Sequence, residues 1–150
     1  AYHPTLPIVY FSNEQGIGLS SYRREVNGQL KVEQDISILP PGMSKIGLSA
    51  SDLLITPDGK FLFAGLRGHR QDFDRVSRYR VLKDGKAEFL GLTEADQIPW
   101  GLTLSPDGKF LLVTATNGAS LTAYRISKDG DLKKVASLAW DPRMSDLVTR

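Results

Sequence analysis

Three polar side chains occupy one equivalent position in three similar segments of the chain: Glu14, Arg67 and Thr116 each lie ten residues after a proline. The first can accept a proton, the second can bind an anion, and the third can exchange hydrogen bonds. A repeat that keeps its scaffold but varies one polar position is typical of a site built on a rigid framework. We therefore expect Glu14 and Arg67 to face a common ligand. The alternative is an ordinary salt bridge at the rim, worth at most about 1 kcal/mol.

The segment RGHR at 67–70 concentrates cationic and titratable groups. Arginine matches the geometry of carboxylate and phosphate groups, so the segment favours an anionic substrate. His69 is a candidate general acid or base. The other interpretation is a solvated loop, whose charge is neutralised by the acids of DFDR at 72–75.

The composition excludes several kinds of chemistry. The chain of 150 residues has no cysteine, which rules out disulfides, thiolate metal ligands and a cysteine nucleophile. Its two histidines, His3 and His69, lack a short fixed spacing, so neither a metal site nor a cofactor is predicted, although loop carboxylates leave a bound cation open. The 19 basic and 17 acidic residues are scattered, so a nucleic-acid partner is not expected.

The sequence also bears on location. No apolar run approaches the roughly 18 residues of a membrane span, so a soluble protein without a membrane partner is expected. The lack of cysteine fits the cytoplasm or the periplasm. We expect a cytoplasmic protein, with the periplasm or secretion as alternatives.

The elements that position the polar residues follow from an internal repeat. Pro4, Pro57 and Pro106 each precede an apolar run, and a Tyr-Arg pair follows each run at 22–23, 79–80 and 124–125. A glycine comes six residues after each of these tyrosines. The TPDG and SPDG segments predict tight turns after an inner strand, and the KDG segments at 83–85 and 128–130 predict the outer turns. A full repeat therefore predicts four short antiparallel strands.

Units of about 45 to 57 residues with four strands and no helical periodicity are typical of β-propeller blades. The prediction is an all-β chain, a β-propeller segment of about three four-stranded blades in the permuted order b-c-d, a-b-c-d, a-b-c-d, a, where a is the innermost strand. The repeats cover residues 1–43, 44–97 and 98–143, and MSDLVTR at 144–150, which resembles SDLLITP at 51–57, begins a further blade. A β-sandwich with accidental similarity is the alternative.

Three blades are too few to close a ring, because closed propellers typically have four to eight. Two blade faces would also expose apolar patches larger than monomers usually show. We therefore expect the chain to be part of a larger ring, completed by missing blades or by another copy of itself.

Three segments resemble consecutive blades of the seven-bladed lactonase propeller family: HP…VYFSNE at 3–14, ITPDGKFLFAGLRGH at 55–69 and LSPDGKFLLVTATNG at 104–118. That family includes 6-phosphogluconolactonases of the propeller type and carboxymuconate-lactonizing enzymes. The resemblance implies an anionic sugar-acid lactone, similar to 6-phosphogluconolactone, or a muconate-type carboxylate as substrate. The reaction would be lactone hydrolysis or cycloisomerisation. The rival interpretation is a non-catalytic interaction or scaffold module, or an inactive fragment of a propeller enzyme.

The resemblance also implies residue roles. Glu14 would activate or orient water, and Arg67 would bind the negative charge of the substrate or stabilise an oxyanion. The predicted catalytic residues are Glu14, Arg67 and His69. The predicted substrate-binding residues are Asn13, Arg70, Thr116 and Asn117.

Overall fold

The computed structural model describes residues 1–69, 72–140 and 146–149, and within these ranges the chain forms eleven β-strands and no helix. The strands form three antiparallel sheets of three, four and four strands, in which sequence neighbours pair. The first sheet contains β1 (Ile8–Asn13), β2 (Gly18–Arg24) and β3 (Leu30–Ser37). The second contains β4 (Leu48–Ile55), β5 (Phe61–Gly68), β6 (Arg75–Val81) and β7 (Ala87–Glu94). The third contains β8 (Pro99–Leu104), β9 (Phe110–Ala115), β10 (Ser120–Ile126) and β11 (Leu132–Ala139).

The sheets confirm the all-β propeller segment and the strand order of its three blades, with β4 and β8 as the inner strands of the second and third blades. Residues 1–3 run beside β1, where Tyr2 bridges Val9 and the backbones of Ala1 and Tyr10 exchange hydrogen bonds of 2.8 and 2.9 Å. They occupy the position of an inner strand, which the predicted order b-c-d does not include in the first blade. Of the predicted final strand, residues 146–149 carry no strand assignment, and the others lie outside the described residues.

The turn after each inner strand is built in the same way in the second and third blades. In TPDG, the Thr56 hydroxyl donates to the Asp58 carboxylate at 2.6 Å and accepts the N–H of Phe61 at 3.1 Å. In SPDG, Ser105 makes the matching bonds at 2.6 and 3.0 Å. Gly59 has a φ of +72°, which glycine adopts without steric cost. The motif therefore recurs because its residues order the turn.

Buried aromatic side chains join neighbouring blades. The Tyr10 hydroxyl donates to the carbonyl of Gly85, in the outer turn of the second blade, at 2.7 Å. Burial raises the pKa of Tyr10 to about 12, so the phenol remains a donor at neutral pH. The Tyr124 hydroxyl donates to the carbonyl of Glu94 in the second blade at 3.0 Å. A β-bulge immediately precedes the tyrosine of every Tyr-Arg pair, at Tyr22, Tyr79 and Tyr124.

Asp96, in the connection between β7 and β8, ties together the outer strands of the third blade. Its carboxylate accepts hydrogen bonds from the hydroxyls of Ser120 and Thr122 and from the Lys134 ammonium. Partial burial raises the pKa of Asp96, but these hydrogen bonds and the charge of Lys134 outweigh burial and lower the pKa to about 2. The carboxylate is therefore charged throughout the neutral range.

The outer strands of the first and third blades carry exposed apolar side chains. Val32 on β3 is 59% exposed and Leu138 on β11 is 53% exposed. Scattered apolar residues are normal at a surface, but these lie on the two flanking sheets of the segment. They agree with the expectation that more protein packs on both sides. Within the described ranges, no helix is long and apolar enough to cross a membrane.

Candidate active site

A cavity of about 650 Å³ opens where β1 and β5 end and β4 and β8 begin. These are the ends of the second strands and the starts of the inner strands of the blades. The cavity therefore lies at one end of the blades, on the side that faces the central channel of a propeller. It also extends along residues 10–12 of β1. Its lining includes Phe11, Glu14, Asp52, Arg67, Trp100 and Asp146.

Arg67 reaches this cavity from β5, a strand whose eight residues are all buried. Only 4% of the Arg67 side chain is exposed. Its Nη2 donates to Glu14 Oε1 at 2.6 Å and to the Ala50 carbonyl at 2.8 Å, and its guanidinium lies 4.2 Å from the ring centroid of Trp100. Its Nε is buried without a hydrogen-bond partner, which is a costly arrangement for a charged group. The guanidinium is therefore held in place by Glu14, Ala50 and Trp100.

Glu14 follows the last residue of β1 and is fixed through its backbone. Its carbonyl accepts the N–H of Ala50 at 3.0 Å, which links the first blade to the inner strand of the second. Its side chain is 61% exposed, and within the described part of the chain only Oε1 has a hydrogen-bond partner, Arg67. Oε2 can therefore accept a hydrogen bond from water or a ligand in the cavity.

Glu14 and Arg67 thus form an ion pair, but it differs from an ordinary salt bridge at a solvated rim. A rim salt bridge joins two solvated side chains, whereas here the cation is buried and the anion is exposed. Such a pair presents a carboxylate oxygen and a fixed positive charge to the same space. This arrangement can deprotonate a water molecule and stabilise negative charge that develops next to it.

Two β-bulges add side chains that the sequence predictions did not include. The pairing of β4 with β5 shifts register between Ala50 and Leu53, and the pairing of β8 with β9 shifts between Pro99 and Leu102. Asp52 lies in the first irregular stretch, and Trp100 lies in the second, at 42% exposure. Bulges re-aim side chains next to active sites. The likeness of SDL at 51–53 and 145–147 was a usable signal, because it marks Asp52 and Asp146 as equivalent positions.

Asp74 supports the site from behind. Its buried carboxylate accepts the N–H of Gly68, at the end of β5, at 3.0 Å and the N–H of Ile98, just before β8, at 2.9 Å. It therefore ties together the strand that carries Arg67 and the strand that carries Trp100. Within the described residues, the hydrogen bonds that this acid of the DFDR segment accepts come from backbone N–H groups.

The described lining of the cavity does not include the predicted residues Asn13, His69, Thr116 and Asn117. His69 is exposed, and its Nε2 lies 2.7 Å from the Ser49 hydroxyl. The Asn13 amide donates to the Ser20 hydroxyl at 2.7 Å. Thr116 and Asn117 follow β9, where the Thr116 N–H bonds to the Ile98 carbonyl at 3.0 Å. Arg70 lies outside the described residues, and the roles of all these residues stay predictions.

Among the described residues, no group of three or more histidine, aspartate or glutamate side chains has the geometry to hold a metal ion.

Comparison with known proteins gives a consistent picture. Residues 1–143 match a family model described as a lactonase with a seven-bladed β-propeller. A 6-phosphogluconolactonase from Pectobacterium carotovorum subsp. carotovorum is 28% identical over 142 residues, which are 93% of this chain and 41% of that protein. A 6-phosphogluconolactonase from Yersinia pseudotuberculosis is 28% identical over 133 residues, which are 86% of this chain and 38% of that protein. The chain spans about two fifths of the length of these curated relatives.

Solved structures share the fold. A protein from Lactobacillus plantarum superposes with a TM-score of 0.87 at 17% identity, over 97% of this chain and 42% of its own. The periplasmic gluconolactonase of Pseudomonas aeruginosa superposes with a TM-score of 0.80 at 24% identity, over 89% of this chain and 37% of its own. At these identities the superpositions show a common architecture.

Proposed function

Because the chain belongs to the seven-bladed β-propeller lactonase family, which three of its segments resemble, we propose that it forms part of an enzyme that hydrolyses the lactone of a sugar acid. The observation that carries the proposal is the ion pair at the cavity, in which the buried Arg67 guanidinium holds the exposed Glu14 carboxylate at 2.6 Å. The names of the matched relatives favour the lactone of a sugar acid. Cycloisomerisation of a muconate-type carboxylate stays a prediction from the sequence.

The proposed reaction begins with water bound to Glu14 Oε2. Glu14 takes a proton from this water while the water oxygen forms a bond to the carbonyl carbon of the lactone, giving a tetrahedral intermediate. The ring C–O bond then breaks, and the departing ring oxygen takes the proton back from Glu14. One water is consumed and one hydroxy acid is formed, which loses its carboxyl proton to solvent at neutral pH.

Arg67 has a distinct role in this scheme. Negative charge develops on the carbonyl oxygen in the transition state, and a guanidinium that is already fixed stabilises it without reorganisation. Arg67 Nη2 is used by Glu14 and Ala50, whereas Nη1 has no hydrogen-bond partner in the described part of the chain. Nη1 is therefore the nitrogen that we assign to the oxyanion. The contact with Trp100 keeps the guanidinium plane in position.

We further propose that blades outside these 150 residues complete the ring around this site. Three blades make up a share of a seven-bladed ring that is close to the 41% of the Pectobacterium relative's length that the chain matches. The exposed apolar side chains of β3 and β11 support the packing of neighbours on both flanks. Completion by a second copy of the chain is the other expectation from the sequence. A cytoplasmic location stays a prediction, since one structural relative is periplasmic.

The experiment is a comparison of lactone hydrolysis by the complete protein and two matched variants. Rates of glucono-δ-lactone and 6-phosphoglucono-δ-lactone hydrolysis are followed in a pH-stat and corrected for spontaneous hydrolysis. Glu14→Gln should lower kcat by at least about 100-fold, the usual contribution of a general base. Glu25→Gln, at an exposed carboxylate in the turn between β2 and β3, should leave kcat unchanged.

Circular dichroism and the unfolding midpoint report whether the variants remain folded. A folded Glu14→Gln variant with the wild-type kcat would refute the assigned role of Glu14. A complete wild-type protein that hydrolyses neither lactone faster than the background would refute the proposed function.

A further inference from the structure

The face of the first blade that points away from the second blade carries a row of three side chains. Tyr10 points toward the second blade, where its hydroxyl bonds to Gly85, so the neighbouring Phe11 points to the opposite face by strand alternation. Phe11 pairs with Ser20 on β2, and Ser20 pairs with Asp35 on β3. Phe11 is 45% exposed, and Asp35 is also exposed. This row, which we call the junction row, therefore lies open on the first blade.

Hydrogen bonds within the blade hold the carboxylate of the junction row in place. The hydroxyl of the buried Ser20 donates to Asp35 Oδ1 at 3.0 Å, and the Asn13 amide donates to the Ser20 hydroxyl at 2.7 Å. Ser20 uses one of the about four acceptor sites of the carboxylate. The junction row thus presents the apolar ring of Phe11 at its inner end and a fixed anionic acceptor at its outer end.

The equivalent row of the third blade shows how such a row is covered. It consists of Val113, Thr122 and Ser137, which pair across β9, β10 and β11. Asp96, from the connection that leaves the second blade, accepts hydrogen bonds from the Thr122 hydroxyl and, at 3.3 Å, from the Ser137 hydroxyl. Val113 is only 1% exposed. The connection of one blade therefore places an anionic acceptor over the hydroxyl donors of the next blade.

The second blade repeats this arrangement with apolar groups. Its row consists of Ala64, Ser77 and Leu92, and Ala64 is completely buried. Leu39, from the connection that leaves the first blade, is buried and belongs to the hydrophobic cluster against which Leu92 packs. In both junctions between these three blades, the preceding connection therefore matches the chemistry of the row that it covers.

We propose that another blade of the complete protein covers the junction row of the first blade, and that the connection leaving that blade places a lysine or arginine side chain against Asp35. Burying a carboxylate is costly unless a cation donates hydrogen bonds to it, and both basic side chains can do so. The matched relatives are long enough to include such a blade, because the chain spans about two fifths of their length. The proposal rests on the ring completion proposed above, and its test does not need lactone hydrolysis.

The first experiment measures whether Asp35 is covered in the complete protein. Carboxylates are labelled under native conditions with a carbodiimide and glycine ethyl ester, and the labelled peptides are quantified by mass spectrometry. Asp35 should react at least about tenfold more slowly than Asp129, in the exposed outer turn of the third blade, because labelling of a covered residue needs local opening. Equal rates would overturn the proposal. Protection of Asp35 that appears only as the protein forms oligomers, followed by sedimentation velocity, would assign the face to a second copy and would also overturn it.

The second experiment determines the sign of the charge opposite Asp35 from urea unfolding of the complete protein. Asp35→Asn should lower the urea midpoint by about 0.3 M because an ion pair is lost, and Asp35→Lys should lower it further because two cations then face each other. The same two substitutions at Asp129 are the matched controls and should leave the midpoint nearly unchanged.

Ser20→Ala separates the bond within the blade from the contact between blades. In the Ser20→Ala background, Asp35→Asn should still lower the urea midpoint, since the basic side chain of the neighbouring blade remains. The proposal is wrong if Asp35→Asn leaves the midpoint unchanged or raises it, or if Asp35→Lys is at least as stable as Asp35→Asn. Both experiments keep their meaning for a protein that hydrolyses neither lactone.

Discussion

The Glu14–Arg67 pair should be energetically coupled more strongly than a surface ion pair. Arg67 is 4% exposed and Glu14 is 61% exposed, so the pair lies between a buried salt bridge and a solvated one. A hydrogen bond that involves charged groups contributes about 1.5–3 kcal/mol, and the exposure of Glu14 places this pair at the low end. We expect a coupling energy of about 1.5 kcal/mol between Glu14→Ala and Arg67→Met.

The matched control is another arginine–glutamate pair of the same molecule. Arg80 and Glu88 lie opposite each other on β6 and β7 with an N···O distance of 3.3 Å, and their side chains are 46% and 52% exposed. A double-mutant cycle on this exposed pair should give a coupling of about 0.3 kcal/mol. The difference between the two cycles isolates the effect of burying one partner.

The assay is urea unfolding of the complete protein, followed by far-ultraviolet circular dichroism for the wild type and each variant. The shift in the urea midpoint converts to a difference in the free energy of unfolding when the wild type and the variants have the same m-value. Arg67→Met alone removes the cation from a buried position and keeps an apolar chain against Trp100. A coupling at Glu14–Arg67 below about 0.5 kcal/mol, equal to that of the control pair, would refute the conclusion that the buried guanidinium fixes the carboxylate.

Three further predictions concern the scaffold, each measured as a change in the urea midpoint. Asp96→Asn should lower the free energy of unfolding by about 1 kcal/mol at pH 7, a value that is reduced for solvent exposure. This loss should disappear as the pH falls from about 4 to about 2, because the lowered pKa of Asp96 stabilises the fold only while its carboxylate is charged. Equal costs at pH 7 and pH 2 would contradict this. Gly130→Ala should cost about 3 kcal/mol, since φ is +87° and a Cβ would lie 2.5 Å from Phe61, whereas Gly28→Ala, with φ +83° and nothing within 4 Å, should cost about 1 kcal/mol. Equal costs would exclude a packing effect. Tyr10→Phe should cost about 1 kcal/mol through the lost interblade hydrogen bond, and an unchanged midpoint would count against that bond.

The repeat made the blades predictable from the sequence. The turn residues of TPDG and SPDG order their turns through the same side-chain hydrogen bonds, so a local motif was sufficient to place the strands on both sides. Counting from the prolines then placed Glu14 and Arg67 at equivalent strand ends. Their contact across two blades follows from that equivalence, because adjacent blades present the same strand ends to one another.

Other parts of the site depend on features that a sequence does not display. The bulges in β4 and β8 arise in strand pairing, and they bring Asp52 and Trp100 to the cavity. The sequence shows the likeness of the SDL segments but not that their carboxylates face one space. Nor does it show whether a charged residue such as Arg67 is buried, since that depends on the packing of β5 between its neighbours.

A crystal structure of the complete protein with a bound aldonate would show directly whether the Glu14–Arg67 pair forms the active site. We expect a carboxylate oxygen of the ligand within about 3 Å of the Arg67 guanidinium, with Glu14 beside it. An aldonate bound elsewhere in the propeller, out of contact with the Glu14–Arg67 pair, would refute this assignment.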